Sequence, residues 1–179
     1  MTKNSFTFDD KWNIRFMQQA QLVSTWSKDP STKVGCIIVS PNRVVLSEGY
    51  NGFPQGIADT EERLYDRNLK YPRVVHAETN AIVNAGRNGA KTDGGILFVT
   101  APPCPNCAKM IVQAGIREIL YIDLDESKKN IPGWRDELGI SFDMFNEVGI
   151  PSMAIPNEYL FTKEQLADIR AKQLKLLEH

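Results

Sequence analysis

The sequence predicts an α/β fold with a mixed central sheet of about five strands. Short apolar runs alternate with segments of helical periodicity, and this alternation is the first observation behind the prediction. The second is that a turn joins the first two runs, whereas helices separate the later ones, which predicts an antiparallel pair followed by parallel crossovers. The length of 179 residues suits one domain, which we place at residues 1–176.

The first half of the chain is predicted to form a helix, a hairpin and a long loop. Apolar residues recur at helical spacing over residues 8–27, and the helix ends before Pro30 because the residue preceding a proline avoids helical geometry. Strands over 34–39 and 44–50 flank a cluster of turn residues. The polar segment 51–73 is longer than most loops, so part of it is predicted to form a short helix or a mobile lid.

The second half alternates between helix and strand. A helix is predicted over residues 75–85, with Gly86 as its C-terminal cap. A second helix, over 108–114, is predicted to end at Gly115 for the same reason. The remaining elements are strands over 96–100, 118–122 and 152–155 and helices over 134–148 and 162–176.

Composition and charge limit the class of protein. The formal net charge of −1 gives no basic surface for a long polynucleotide, so a small nucleotide is the better partner. No signal-peptide pattern or run of about eighteen apolar residues is present, which predicts no membrane association. Cys36 has no evident disulfide partner, which favours a reducing, cytoplasmic compartment. Residues 177–179 (LEH) are interpreted as a tag remnant.

Two short motifs predict a hydrolytic zinc centre. His76, Cys104 and Cys107 offer one imidazole and two thiolates, and these three ligands leave a fourth tetrahedral position for water. Glu78 is not needed as a ligand and is therefore free to move protons as the catalytic residue. Excluding the tag remnant, His76 is the only histidine in the chain, which strengthens its assignment as a ligand.

Both motifs are predicted to lie at the start of a helix. Residues two apart do not face each other within a helix, so His76 and Glu78 can reach one point only beyond a helix end. Cys104 and Cys107 are three apart, and Pro105 suits the first helical position because its missing N–H costs nothing there. The metal would therefore lie just past two helix N-termini, whose dipoles favour thiolates.

The motif pair H-x-E and P-C-x-x-C resembles that of zinc-dependent base deaminases. Four segments carry a closer resemblance to the cytidine/deoxycytidylate deaminase family and, within it, to the deoxycytidylate (dCMP) deaminases. They are residues 27–35 (SKDPSTKVG), 49–54 (GYNGFP), 76–82 (HAETNAI) and 103–109 (PCPNCAK). The similarity spans roughly residues 8–155.

This resemblance implies a three-layer α/β/α cytidine-deaminase-like fold and zinc-dependent hydrolytic deamination of dCMP to dUMP. It implies that Asn51 holds the deoxyribose and that the backbone N–H of Ala77 contacts the pyrimidine carbonyl, beside Pro103. Ser27, Lys28 and Lys33, which precede and enter the first strand, are candidates for the substrate phosphate.

The family resemblance also implies regulation and assembly. Members of the dCMP group are commonly hexamers regulated by dCTP and dTTP, with Mg²⁺ accompanying a bound effector. The residues assigned to an effector site on this basis are Gly49, Tyr50, Gly52, Arg87 and Lys33.

Other interpretations of the motifs stay open. A structural zinc module would use Cys36 as the fourth ligand, and a C-x-x-C redox protein would leave His76 and Glu78 without a role. A polynucleotide editor such as a tRNA adenosine deaminase shares the metal motif but is expected to have a basic face. Guanine, cytosine and riboflavin-pathway deaminases also share it, and a dCMP enzyme could accept dCTP as well.

Overall fold

A mixed five-stranded sheet forms the centre of the molecule. The computed structural model describes residues 11–123 and 134–177. The strands lie in the order β2-β1-β3-β4-β5, where β1 is antiparallel to β2 and β3, and β3, β4 and β5 run parallel. Their bounds are Gly35–Val39 for β1, Val45–Tyr50 for β2, Ile96–Val99 for β3, Glu118–Ile122 for β4 and Ser152–Ile155 for β5. The predicted mixed sheet of five strands is confirmed.

Helices cover both faces of this sheet. They are α1 (Lys11–Ser24), α2 (Glu61–Tyr65), α3 (Arg67–Lys70), α4 (Ala77–Arg87), α5 (Pro105–Gln113), α6 (Trp134–Glu147) and α7 (Lys163–Leu177), with a 3₁₀ turn at Asn157–Tyr159. In the part of the chain that the structure describes, no helix is both long and apolar enough to cross a membrane.

Alternate residues of the three central strands, β1, β3 and β4, point into two separate cores. Ile38, Leu97 and Ile119 pack towards α4, α5 and α6, where Ala81 and Phe145 are also buried. Their sequence neighbours Ile37, Phe98 and Leu120 pack instead against α1. Because strand side chains alternate between the two faces, each of these three strands supplies both cores. The three-layer α/β/α arrangement implied by the family resemblance is confirmed.

Two glycines bring helices close to the edge of the sheet that carries the site. A β-carbon at Gly35 would lie 2.1 Å from the Ala20 carbonyl oxygen of α1. A β-carbon at Gly49 would lie 2.4 Å from the Ala81 nitrogen of α4. Any larger residue would push the helix away, so glycine sets the distance between each helix and its strand.

The ends of two helices differ from the prediction. The start of the first helix, predicted at Phe8, lies outside the described residues, and α1 ends at Ser24 rather than at residue 27. Helix α4 runs through Gly86 to Arg87, so Gly86 is not its cap.

The glycine that ends α4 is Gly89. Its φ is +69°, its N–H donates to the Gly86 carbonyl, and the Ala90 N–H donates to the Ala85 carbonyl at 2.9 Å. This is the Schellman pattern, in which the left-handed residue follows the last helical turn.

The segment between β2 and α4 contains two short helices. A short helix was one of the two structures predicted for part of this segment, and a mobile lid was the other. The Thr60 hydroxyl accepts from the Arg63 N–H at the start of α2, and the Asp66 carboxylate accepts from the Asn68 N–H at the start of α3. A buried ion pair of 3.2 Å between Lys70 and Asp29 ties α3 to the loop before β1. The α3 end of this segment is therefore fixed to the body of the protein, whereas residues 54–62 are exposed.

Candidate active site

His76 is held at the entrance to α4. A pair of backbone hydrogen bonds between Gly52 and Val75, of 2.8 and 3.1 Å, fixes the chain just before it. His76 is the N-cap residue of α4, with extended backbone (φ −74°, ψ 156°), and Ala77 is the first helical residue. The predicted start at residue 75 is thus two residues early, but the predicted position of His76 beyond the helix end is what the structure shows.

The two cysteines occupy the matching positions on α5. Strand β3 ends at Val99, and Cys104 is the N-cap residue of α5, with Pro105 at the first helical position as predicted. Cys107 then lies one turn further on and is buried, with 1 % of its surface exposed. The start of α5 therefore directs both sulfurs to the same side.

The three predicted ligands converge on one point. The His76 Nδ1 atom lies 3.5 Å from Cys104 Sγ and 3.4 Å from Cys107 Sγ, and all three atoms lie within 4.8 Å of one another. Bonds of about 2.3 Å to sulfur and about 2.0 Å to nitrogen at tetrahedral angles would separate S and N by about 3.5 Å. The donor set and its spacing therefore fit a zinc ion.

The electrostatics of the cysteine pair favour metal binding. A hydrogen bond from Cys107 lowers the pKa of Cys104 to about 3. Burial opposes this shift, and His76 adds to it. The Cys104 sulfur is therefore a thiolate at neutral pH. The same sulfur–sulfur contact raises the pKa of Cys107, because the two groups share one proton. A bound metal dication would remove that remaining proton.

Glu78 is buried beside the metal ligands without being one of them. It is the second residue of α4, has 4 % of its surface exposed, and is not part of the His/Cys/Cys cluster. Burial raises the pKa of its carboxyl, and its own backbone N–H and His76 partly oppose this. A carboxyl with a raised pKa is suited to taking up and releasing protons near neutral pH.

Cys36, the fourth ligand that a structural zinc module would need, lies in β1. Its side chain is fully buried, and it is not a member of the metal-ligating group found among the described residues. Burial raises the pKa of this thiol well above its usual value. Cys36 is therefore a core residue and does not act as a fourth ligand at this site.

Asn51 and Ser27 form a buried network beside the site. The Asn51 side chain accepts from the Val34 N–H at 2.8 Å and donates to the Thr32 carbonyl at 2.9 Å. The Ser27 hydroxyl donates to the Asn51 carbonyl at 2.8 Å and accepts from the Asp29 N–H. Both side chains hold the loop before β1 in place, and their direct contacts to substrate stay predictions.

The two predicted phosphate lysines have different surroundings. Lys28 is exposed and forms a 2.8 Å ion pair with Asp59, which raises its pKa. Lys33 is half-buried, and its ammonium group donates to the Ser27 carbonyl. Burial, and next the nearby Arg170, lower the pKa of Lys33.

Four of the five residues predicted for an effector line one cleft of about 670 Å³. The cleft lies between the loop after β2 and the exposed face of α4, and those four residues are Gly49, Tyr50, Gly52 and Arg87. Lys28 also borders it, whereas Lys33 is not among the described residues that do. The Arg87 guanidinium is held at 3.3 Å from the Gln55 side-chain oxygen.

Several residues that position the site were not identified from the sequence. Asn80 and Asn84 donate to the Tyr50 and Glu48 carbonyls at 2.8 and 3.0 Å, which clamps α4 along the outer edge of β2. Their spacing of four residues was a usable signal, since it places both on one helix face. Lys70 gave no such signal, because its partner Asp29 is 41 residues away in the chain.

Comparison with known proteins supports the assignment of this site. Residues 10–123 match the family model of the cytidine and deoxycytidylate deaminase zinc-binding region. The chain is 40 % identical over 150 residues to an uncharacterized deaminase in the luxG 3′ region of Aliivibrio fischeri, covering 84 % of this chain and 97 % of that protein. It is 42 % identical over 119 residues to mouse (Mus musculus) deoxycytidylate deaminase, covering 63 % of this chain and 65 % of the mouse protein, which is slightly less than two thirds of its length.

A solved structure extends the comparison to three dimensions. The crystal structure of dCMP deaminase from the cyanophage S-TIM5, in complex with dCMP and dUMP, superposes with a TM-score of 0.60 at 31 % identity. The superposition covers 77 % of this chain and 92 % of the cyanophage protein. The matched family model covers both predicted zinc motifs, and the structure brings those motifs together. The chain therefore belongs to the cytidine and deoxycytidylate deaminase family.

Proposed function

We propose that this chain catalyses the zinc-dependent hydrolytic deamination of dCMP to dUMP, with release of ammonia. The observation that carries the proposal is the convergence of the His76 nitrogen and the two cysteine sulfurs at two helix starts. A buried carboxyl, Glu78, adjoins them. The relatives named deoxycytidylate deaminase, and the cyanophage enzyme with dCMP and dUMP, support a pyrimidine deoxynucleotide as the substrate.

In this proposal the ligands and the acid have separate roles. His76, Cys104 and Cys107 would hold the zinc ion, which when bound supplies a water activated at neutral pH. Glu78 would take a proton from the water and pass it to the N3 atom of cytosine as the water oxygen bonds to C4. Glu78 would then move the remaining proton of that oxygen to the amine on C4. The carbon–nitrogen bond would break with loss of ammonia, and the ring would keep the oxygen of water as a carbonyl. Burial favours this role, because it raises the pKa of the Glu78 carboxyl towards neutrality.

The nucleotide would be held by groups around this centre. Ala77 is the first residue of α4, so its N–H has no acceptor within the helix and can donate to the pyrimidine carbonyl. Pro103 is buried next to Cys104 and would form part of the wall beside the ring. Lys28 carries the exposed charge best placed for a phosphate. Asn51 and Ser27 would contribute to binding of the sugar and the phosphate by holding the loop before β1 in its conformation.

We also propose that the cleft along α4 binds a regulatory nucleotide. Arg87 lies at this cleft and supplies positive charge, and Tyr50 supplies an aromatic face. A deoxynucleoside triphosphate accompanied by Mg²⁺, namely dCTP or dTTP, fits this combination of groups. We further propose that the chain assembles as a hexamer and is located in the cytoplasm. Residues 1–176 would form a single domain. Residues 177–179 would be a tag remnant, of which 178–179 lie outside the described residues.

A comparison of four possible substrates tests the main proposal. Purified protein is offered dCMP, dCTP, deoxycytidine and cytosine separately, and loss of the cytosine absorbance is followed. We expect turnover of dCMP, loss of turnover after treatment with a zinc chelator, and recovery when zinc is added back. Turnover of free cytosine alone would refute the substrate class. Stoichiometric zinc without turnover of any of the four compounds would favour a structural zinc module. Absence of zinc from the purified protein would favour a redox protein.

A separate experiment tests the effector proposal. The rate with dCMP is measured with and without dCTP or dTTP in the presence of Mg²⁺, for the wild type and for Arg87→Ala. Lys91→Ala is the control, since Lys91 is an exposed cation paired with Asp93 and is not a residue of the cleft. We expect Arg87→Ala alone to weaken the response to the effector. An equal response in all three proteins would refute the role of this cleft.

A further inference from the structure

Helices α4 and α5 face the candidate metal centre with equivalent positions. On α5 the N-cap residue and the third helical residue are Cys104 and Cys107, both ligands. On α4 the N-cap residue is His76, and the third helical residue is Thr79. Residues three apart lie on the same face of a helix, so all four side chains point into the same space. Three of these positions carry metal ligands, and the mechanism leaves the fourth, Thr79, without a role.

Thr79 contacts one of the ligands directly. Its Oγ1 atom lies 3.8 Å from Cys107 Sγ, within hydrogen-bonding distance for sulfur. A metal-bound thiolate has no proton to give, so in the metal-loaded protein the threonine hydroxyl is the donor and the sulfur the acceptor. Cys107 is buried and surrounded by apolar side chains of the core, where a donor aimed at a charged sulfur is worth more than at an exposed one.

We propose that Thr79 is a positioning residue for the zinc centre, and that its hydroxyl holds Cys107 Sγ in place as a metal ligand. This inference rests on the proposed function, because it requires zinc to be bound. Hydrogen bonds to ligating atoms orient the ligands, and removing such a bond typically costs about 10–100-fold in metal affinity. Donation to a ligating sulfur also draws electron density away from it, which alters the electronic properties of the metal site.

The test compares Thr79→Val with Thr79→Ser. Valine keeps the shape of threonine but cannot donate, whereas serine keeps the hydroxyl and loses the methyl group. The first readout is the rate at which zinc is transferred to a chromogenic chelator. The second is the thiolate-to-metal charge-transfer band of the cobalt-substituted protein. We expect Thr79→Val to lose zinc about 10-fold faster and to shift the band to lower energy, and we expect Thr79→Ser to stay close to the wild type.

The outcomes separate this inference from the proposed function. If the wild type holds zinc and Thr79→Val matches it in both readouts, the inference is overturned and the proposed function stands. If Thr79→Ser loses zinc as fast as Thr79→Val, the hydroxyl is not responsible, which also overturns the inference. If the wild type holds no zinc, both fail together. Thermal unfolding of each metal-free variant, compared with the metal-free wild type, shows whether the helix itself has been weakened.

Discussion

Individual residues of the site owe their properties to their surroundings as well as to their intrinsic chemistry. Burial raises the pKa of the Glu78 carboxyl, which suits it to the proton-transfer role proposed for it. The pKa of Cys104 changes in the opposite sense, because a hydrogen bond from Cys107 stabilises its thiolate.

At this scale the first prediction concerns Glu78. We expect Glu78→Gln to lower the rate of dCMP deamination by roughly 10²–10⁴-fold, because the amide cannot transfer protons. Zinc content should stay stoichiometric, since Glu78 is not among the clustered ligands. Metal analysis and a rate assay on the same sample check both parts. Loss of zinc in the variant would show that Glu78 is a ligand, which contradicts the role given to it.

The second prediction concerns the buried cation of α3. Lys70 is 6 % exposed and contacts Asp29 and the Ser31 hydroxyl, so Lys70→Met would leave a buried carboxylate without its cation. We expect the free energy of unfolding to fall by about 3 kcal/mol, as measured by urea denaturation. The matched control is Lys172→Met, which breaks an exposed pair with Asp168 and should cost less than about 0.5 kcal/mol. Equal losses in the two variants would contradict the prediction.

Among the elements, α4 links the parts of the site. Its first turn carries His76 and Glu78, and its exposed face borders the cleft through Asn80, Asn84 and Arg87. Thr79 belongs to both regions, since it lines the cleft and contacts Cys107. Any displacement of this helix therefore moves the metal ligand and the wall of the cleft together.

The third prediction tests where α4 ends. Gly86 lies inside the helix with nothing within 4 Å of an added β-carbon, so Gly86→Ala should stabilise the protein by about 0.5–1 kcal/mol. Gly89 has a φ of +69°, so Gly89→Ala should destabilise it by about 1 kcal/mol. Thermal unfolding of the two variants gives the sign of each change. Destabilisation by Gly86→Ala together with stabilisation by Gly89→Ala would instead support Gly86 as the cap of α4.

For the molecule as a whole, stability depends on groups far from the chemistry. Glu118 begins β4 and is buried, and burial raises the pKa of its carboxyl to about 7, with Arg117 opposing the shift. A carboxyl whose pKa is higher in the folded than in the unfolded state favours folding while it is protonated. That contribution is complete below the unfolded value of 4.5 and is lost as the pH rises to about 7.

The fourth prediction follows from this. Between pH 4.5 and 7, ionisation of Glu118 should lower the free energy of unfolding of the wild type by on the order of 2 kcal/mol. Glu118→Gln should not show this part of the decrease, because it has no carboxyl at that position. Chemical denaturation at a series of pH values checks it, with Glu62→Gln as the control because Glu62 is an exposed carboxyl. Parallel pH profiles for the wild type and Glu118→Gln would contradict the assignment.

Much of this protein follows from local patterns in its sequence. The short apolar runs and the helical repeats identified all five strands and the main helices, because burial leaves a local trace in the chain. The candidate ligands His76, Cys104 and Cys107 were identifiable because short spacing at a helix start is itself a geometric constraint. The cap of α4 was misplaced by three residues, since Gly86 and Gly89 look alike until the backbone conformation is known.

Only the tertiary structure decided which distant residues meet. His76 and Cys104 are 28 positions apart in the chain, and the packing of the sheet and its helices sets their two helix starts side by side. Burial of Glu78, pairing of Lys70 with Asp29, and contact of Thr79 with Cys107 all depend on that packing. Sequence determines which groups are present and how each element folds, because those depend on neighbouring residues. The environment that sets their pKa values and contacts is built by residues distant in the chain, so it exists only once the elements have packed.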